Sequence, residues 1–269
     1  MSYVSKSLVL LASLVAAACA SPTPPPPDLP VTIEGAVNSP YRTPANRARD
    51  IYRHPAETLA FFEVGPEMSV VEIWPSGGWY TEILAPYLAT KGQYIIAEPS
   101  ADPKGYTNKR KEWMKRYPAI SKKSMNTQFL PPESSEVAPL GSVDRVLTFR
   151  NVHNWQGQAA KEAAFRGFYN ALKPGGILGI VEHRAPAKGK FDPESGYVRE
   201  ADVIKLAEKA GFKLLAKSEI NANPKDTKNY SEGVWTLPPT LTLGDKDREK
   251  YLAIGESDRM TLKFVKPAK

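Results

Sequence analysis

The stretch VVEIWPSGGWYTEILAP, residues 70–86, decides the fold. Residues 68–74 are short and mostly apolar, the mark of a buried strand. Pro75-Ser76-Gly77-Gly78 then makes a turn, and residues 79–89 read as a helix. A glycine turn between strand and helix lets a ligand approach the backbone and aims the first helix amides at it. Gly92 opens the next turn, and residues 94–97 are a second apolar strand that ends at Glu98. A carboxylate at that point, about twenty positions past the glycine turn, can accept both hydroxyl hydrogens of a ribose. The competing assignment for Glu98 is a solvated charge at a strand end.

The same alternation continues on both sides. Residues 46–64 read as helical with a break at Pro55. Residues 144–149 are another buried strand, 157–172 a helix stopped by Lys173-Pro174-Gly175-Gly176, and 177–181 a strand. Residues 199–210 form an amphipathic helix closed by Gly211, and 212–220 and 260–265 are strands. Helices alternating with fully apolar strands imply a parallel sheet covered on both faces. Ligands of such sheets sit beyond the carboxyl ends of the strands, where the strand order reverses.

The glycine-turn stretch resembles the first motif of class I S-adenosylmethionine (SAM)-dependent methyltransferases, acidic-x-Gly-x-Gly-x-Gly. LKPGGILGIV, residues 172–181, resembles the helix-turn-strand after their fourth strand, and the strands at 212–220 and 260–265 resemble their closing antiparallel pair. The resemblance spans residues 45–267. Through EIWPSGGWYTEILAP and TFRNVHNW it extends to an exported bacterial branch of methyltransferases. It implies an α/β, Rossmann-like, seven-stranded and mostly parallel sheet with a C-terminal antiparallel pair, and SAM as cofactor. The implied cofactor-binding set is Glu72, Trp74, Ser76, Gly77, Gly78 and Glu98. Glu72 takes the acidic position and Gly78 the last glycine, whereas Trp74 and Ser76 replace the first two glycines. An indole at Trp74 must fill space that SAM would use, or shift the loop.

Arg150-Asn151-Val152-His153-Asn154-Trp155 follows the fourth strand, the position that faces the transferred methyl group in the family. His153 can take a proton from an acceptor, Asn151 can orient that acceptor, and Arg150 can bind an anionic group. Glu182-His183-Arg184 ends the next strand at the same mouth, so His153, Asn151 and His183 are the candidate catalytic residues. A hydrogen-bonded structural histidine is the plain alternative for each. His54, the third histidine, lies on the N-terminal segment that usually covers the cofactor. His153 and His183 with Glu182 or Glu72 would supply enough metal ligands, but no tight spacing marks a metal site, and none is expected. No G-x-S-x-G elbow is present, which argues against a serine hydrolase.

The chain has 269 residues, 42% of them hydrophobic, enough for one domain with a sizeable core. A net charge of +7 favours anionic partners. The single cysteine, Cys19, excludes an internal disulfide. Residues 1–20 read as an export signal, either cleaved after Ala20 or lipidated at Cys19, and the expected location is the periplasm. Residues 21–44, Pro-rich at the start, are expected to form an extended spacer, and 45–269 the methyltransferase-like domain. Residues 221–258 are an insert that reads as an ordered lid. Residues 104–123 hold Lys104, Lys109, Arg110, Lys111, Lys115, Arg116, Lys122 and Lys123 against Glu112 alone. They are either a solvated basic helix or a surface for an anionic membrane; nucleic acid is not an expected partner outside the cytoplasm. SAM is kept in the cytoplasm, so export leaves two functions open. One is a methyltransferase acting on a small-molecule or envelope acceptor. The other is a methyltransferase-fold protein that binds a different ligand and does not methylate.

Overall fold

A computed structural model describes residues 27–268. The export signal and Cys19 lie outside the described residues. Seven strands form one sheet: β1 (Ser69–Ile73), β2 (Gln93–Glu98), β3 (Met125–Gln128), β4 (Val143–Phe149), β5 (Leu172–His183), β6 (Lys213–Ser218) and β7 (Arg259–Val265). Their order is β3-β2-β1-β4-β5-β7-β6. The first five pair in parallel, while β7 runs antiparallel between β5 and β6. This is the seven-stranded sheet with a closing antiparallel pair that the sequence implies.

Two-residue periodicity sorts the side chains of each strand onto opposite faces. Val71 and Ile73 of β1 enter one core with Val146, Leu178 and Leu262, whereas Val70 joins a second with Ile96, Leu147 and Val181. The first core is covered by α4 (Gly157–Ala171) and α5 (Glu200–Lys209), the second by α1 (Pro55–Phe61), α2 (Thr81–Leu88) and α3 (Asn108–Arg116). Helix α4 is amphipathic because Ala160, Ala164, Phe165, Phe168 and Ala171 recur at helical spacing and are buried. Phe165 and Phe168 are fully buried, each stabilising the fold by roughly 1.5–3 kcal/mol through apolar burial. Phe168→Ala would loosen this layer by about 3–5 kcal/mol.

One strand went unnamed in the sequence and one expectation needs correction. Strand β3 gives no apolar signal: Met-Asn-Thr-Gln is polar because it lies at the sheet edge, with only Thr127 half-buried. The spacer expected over 21–44 is also folded within the described residues. Ala36 and Tyr41 are buried in the second core, and Leu29, Ile33 and Val37 pack against it. The Thr43 amide donates to Glu82 Oε2 at 2.8 Å, and Trp113 Nε1 donates to the Tyr41 carbonyl at 2.7 Å. The packed body therefore begins by Leu29, because these apolar side chains cover the outer faces of α2 and α3.

Candidate functional site at the carboxyl ends of β1, β4 and β5

The strand order reverses between β1 and β4, where one path runs outward through β2 and β3 and the other through β5. Register brings the strand ends level: Ile73 pairs with Ala97 and Thr148, and Phe149 with Val181. Everything that follows these residues in the chain therefore gathers at one mouth.

The loop after β1 keeps the backbone of a glycine motif without two of its glycines. Trp74 has φ +44°, Ser76 +49° and Gly78 +84°, so all three motif positions are left-handed. That region favours glycine and strains a tryptophan. The Trp74 indole turns toward the core, donating from Nε1 to the Phe129 carbonyl at 3.0 Å and meeting Phe129 and Trp155 edge-on. Gly78 retains its glycine for a second reason: a Cβ there would lie 2.8 Å from Cγ of Arg110. Gly77 has open space around it.

Two cavities flank this turn. The hollow on the β2 side, about 250 Å³, is walled by Trp74, Ser76, Glu98, Pro99, Tyr106 and Thr107. Glu98 lies in it as the ribose-binding assignment requires, but its Oε2 accepts a hydrogen bond from Arg110 Nη2. Arg110, on α3, is 3% exposed, and its Nε also donates to the Ser76 carbonyl at 3.3 Å. Of the basic stretch 104–123, this residue turns inward. Glu98 is therefore an ion-paired carboxylate and not an open one.

The second cavity, about 200 Å³, lies over the ends of β1, β4 and β5. Its walls bring together Glu72, Trp74, Ser76, Asn151, His153 and His183. Gly77, Gly78 and Glu98 are not in this wall, and His54 is in neither. The 221–258 insert closes the top with Val234, Trp235, Pro238, Pro239 and Thr240. It is fastened down by Asn221, which donates to Thr58 and Thr261 at 3.0 Å each, and by Asp226, which accepts from Tyr197 at 2.9 Å.

Within this wall the side chains differ in freedom. Burial pushes the Glu72 carboxyl up to about 7, although Tyr94 and Thr81 both donate to its Oε2, at 2.5 and 3.3 Å. Asn151 spends its amide on the Ile73 carbonyl at 2.7 Å and on Thr148 at 3.2 Å, so it ties β4 to β1 and has little left with which to orient an acceptor. His153 Nδ1 lies 3.0 Å from Glu182 Oε1. Glu182 is fully buried and also accepts from the amides of Val152 at 2.6 Å and His183 at 2.7 Å. His183 Nδ1 lies 2.5 Å from Ser257 Oγ. Burial first, then the nearby His153 and the guanidinium of Arg150, pushes the His183 pKa well down, so it is neutral at pH 7.

Ligand atoms of His153, Glu182 and His183 do lie within 4.8 Å of one another, a grouping that could hold a cation. The environment opposes one. Glu182 already satisfies several donors, and Arg150 and Arg53 stand in the same wall. Glu182 was marked in the sequence only by its place beside His183 at the strand end; Ser257 and Arg53 carried no sequence signal, since neither sits in a recognisable spacing with the site residue it meets, His183 and Glu256 respectively.

No protein-family model matches the chain, and no curated protein matches it in sequence. Solved structures do. A SAM-dependent methyltransferase from Aquifex aeolicus superposes with a TM-score of 0.55 at 14% identity, covering 87% of this chain and 96% of that one. The (4+2)-cyclase SpnF superposes with a TM-score of 0.53 at 16% identity, covering 86% of each chain. This chain has the class I methyltransferase fold. At such identities the likeness concerns the fold, and activity must be argued from the site.

Proposed function

We propose that this protein is a SAM-dependent methyltransferase acting on a small molecule. The observation that carries the proposal is the loop after β1, where positions 74, 76 and 78 keep left-handed backbone despite tryptophan and serine at two of them. A chain free of a ligand requirement there would relax such strain, which costs about 1–3 kcal/mol per residue. The residues fit SAM on one condition, that Arg110 shares or releases the Glu98 carboxylate. Glu98 would then hold the ribose, with the 74–78 turn beside it. When bound, SAM supplies an electrophilic methyl group.

The chain's own residues supply the rest. With Nδ1–H donating to Glu182, the His153 Nε2 lone pair is free to take a proton from an acceptor oxygen or nitrogen. Glu182 orients the ring and stabilises the imidazolium that forms, and the 221–258 insert excludes water from above. The proposal includes export, anchoring through lipidated Cys19 and contact of the exposed Lys104, Lys109, Lys111 and Lys115 with an anionic membrane.

The ion pair between Arg110 and Glu98 favours a second function, binding of a different ligand without methyl transfer. Calorimetric titration of the mature protein with SAM separates the two. Micromolar binding is expected for a methyltransferase. No binding at millimolar SAM, in the wild type and in Arg110→Met alike, rejects it in favour of the second.

A further inference from the structure

The wall of the cavity over the ends of β1, β4 and β5 carries more positive charge than its neighbours neutralise. Arg53 is buried, and its Nε donates to Glu256 Oε2 at 3.0 Å, yet its Nη2 is also buried and has no partner among the described residues. Arg150 lines the same cavity, and among the described residues no group accepts a hydrogen bond from its guanidinium. Behind them Arg49 Nε and Arg259 Nη1 reach the same Glu256 at 2.6 and 3.1 Å. Burial alone would raise the Glu256 carboxyl, but Arg53, Arg259, Arg49 and Arg150 together hold it well below the usual carboxylate range. Burial, with Arg259 and Arg49 adding repulsion, lowers the Arg150 pKa to about 10; Glu256 and Glu182 oppose that. Four guanidiniums thus face the carboxyls of Glu256 and Glu182, and Glu72, pushed up to about 7 by burial, adds only part of a charge.

A buried guanidinium nitrogen without a partner, such as Arg53 Nη2, is costly, and planar forks of this kind match the oxygens of a carboxylate or phosphate. We propose that this cavity is an oxyanion site, in which Arg53 Nη2 and the Arg150 guanidinium hold a carboxylate or phosphate group of a small molecule. The same wall holds His153, so a molecule fixed by its acid group lies against the candidate base. Binding of the anion does not depend on the methyltransferase proposal; only what happens to the bound molecule does. Two sources share the chemistry, an acidic acceptor and the amino-acid carboxylate of SAM.

The test uses inorganic phosphate as the probe, with sodium chloride at equal ionic strength as control, and follows thermal unfolding and calorimetric binding. The variant is Arg150→Asn, because φ at this position is +63° and asparagine tolerates the left-handed region. Removing a half-buried charge with no acceptor among the described residues should leave the unliganded variant at least as stable as wild type, so a folding failure is not confused with lost binding. Phosphate should raise the wild-type melting temperature saturably and bind Arg150→Asn at least about tenfold more weakly, the scale of one charge-assisted hydrogen bond. Arg53→Lys, which keeps the charge but loses the free Nη2, should weaken phosphate by a smaller factor. A phosphate effect no larger than that of chloride, or equal in wild type and Arg150→Asn, overturns the site. A repeat with S-adenosylhomocysteine present identifies the source. Phosphate that still binds marks an acceptor site. Displacement by S-adenosylhomocysteine but not by methylthioadenosine, which lacks the amino-acid carboxylate, assigns the site to the cofactor.

Discussion

The side chain of Arg110 lies across the glycine turn and closes on the carboxylate of Glu98. Both ends of this contact are fixed. Arg110 is carried by α3, whose Trp113 and Met114 are buried in the second core, and Glu98 terminates β2. The pair sits where the resemblance puts the ribose of SAM, so it competes for the hydrogen bonds a cofactor would need. Its energy comes from a partly desolvated charge pair, which resists loss of one partner far more than it rewards having both.

Arg110→Met keeps the aliphatic stem over Gly78 and frees Glu98. SAM affinity should rise by about tenfold, and Glu98→Ala should lower it by roughly 1.5–3 kcal/mol, the scale of a hydrogen bond to a charged group. Calorimetry on both variants checks the assignment. Equal affinities in wild type, Arg110→Met and Glu98→Ala would remove Glu98 from the cofactor site.

Glu72 makes stability depend on pH. Its carboxyl, raised by burial to about 7, holds a proton in the folded state at pH values where the unfolded chain has already lost it. The folded protein therefore binds more protons than the unfolded one between the two values, and stability falls as pH rises through that window. Between pH 5 and pH 8 the loss from this group should be about 2–3 kcal/mol. Glu72→Gln keeps an acceptor for Tyr94 and Thr81 and should abolish the loss, becoming the more stable protein at pH 8. Urea unfolding at the two pH values measures it, and parallel slopes for the two proteins would rule the account out.

Much of the fold was legible because apolar alternation marks buried parallel strands strongly. Met68 to Trp74 and the closing strands announce themselves by residue type, whereas Lys173-Pro174-Gly175-Gly176, read as a turn before a strand at 177–181, lies inside β5 as an irregularity opposite β4. What was not legible depends on distant contacts. Arg110 looks like one cation among eight in a basic stretch, and only the register of α3 over Gly78 turns it inward. Asn151 looks like an acceptor-orienting amide until Ile73 and Thr148 are seen to occupy it. The Arg53–Glu256–Arg259 cluster joins positions about two hundred residues apart, and β3 is too polar to declare itself. Trp74 and Ser76 were visible as departures from the glycine pattern, but their left-handed backbone was not.

His153→Gln tests the proton-transfer role. The ring pairs with Glu182 at 3.0 Å and faces the cavity, so its loss should lower turnover on an acceptor by about 10²–10⁴ while SAM affinity stays near wild type. Glu182→Gln should weaken the same step less, because the imidazole remains but loses its orienting charge. Single-turnover rates separate chemistry from binding. A loss of SAM affinity in His153→Gln equal to the loss of rate would make the histidine a structural one.

Trp74 carries two opposing effects that substitutions can separate. Its backbone, at φ +44°, stores strain that glycine would release, about 1–3 kcal/mol. Its indole contributes in the other direction, through the bond to the Phe129 carbonyl and the edge contacts with Phe129 and Trp155. Truncating a large buried aromatic costs about 3–5 kcal/mol, and this one is only partly buried, so Trp74→Gly should destabilise the fold by about 1–2 kcal/mol net. Trp74→Ala loses the same indole yet keeps the strain, and should be less stable than Trp74→Gly by about 1 kcal/mol. That order, measured by urea unfolding, isolates the backbone effect; alanine as stable as glycine would mean that the left-handed turn is not maintained in solution. Trp74 also lines both cavities, so its removal should join them. SAM should then bind Trp74→Gly more tightly than wild type. Weaker binding would instead make the indole a working wall of the pocket and shift the cofactor toward it.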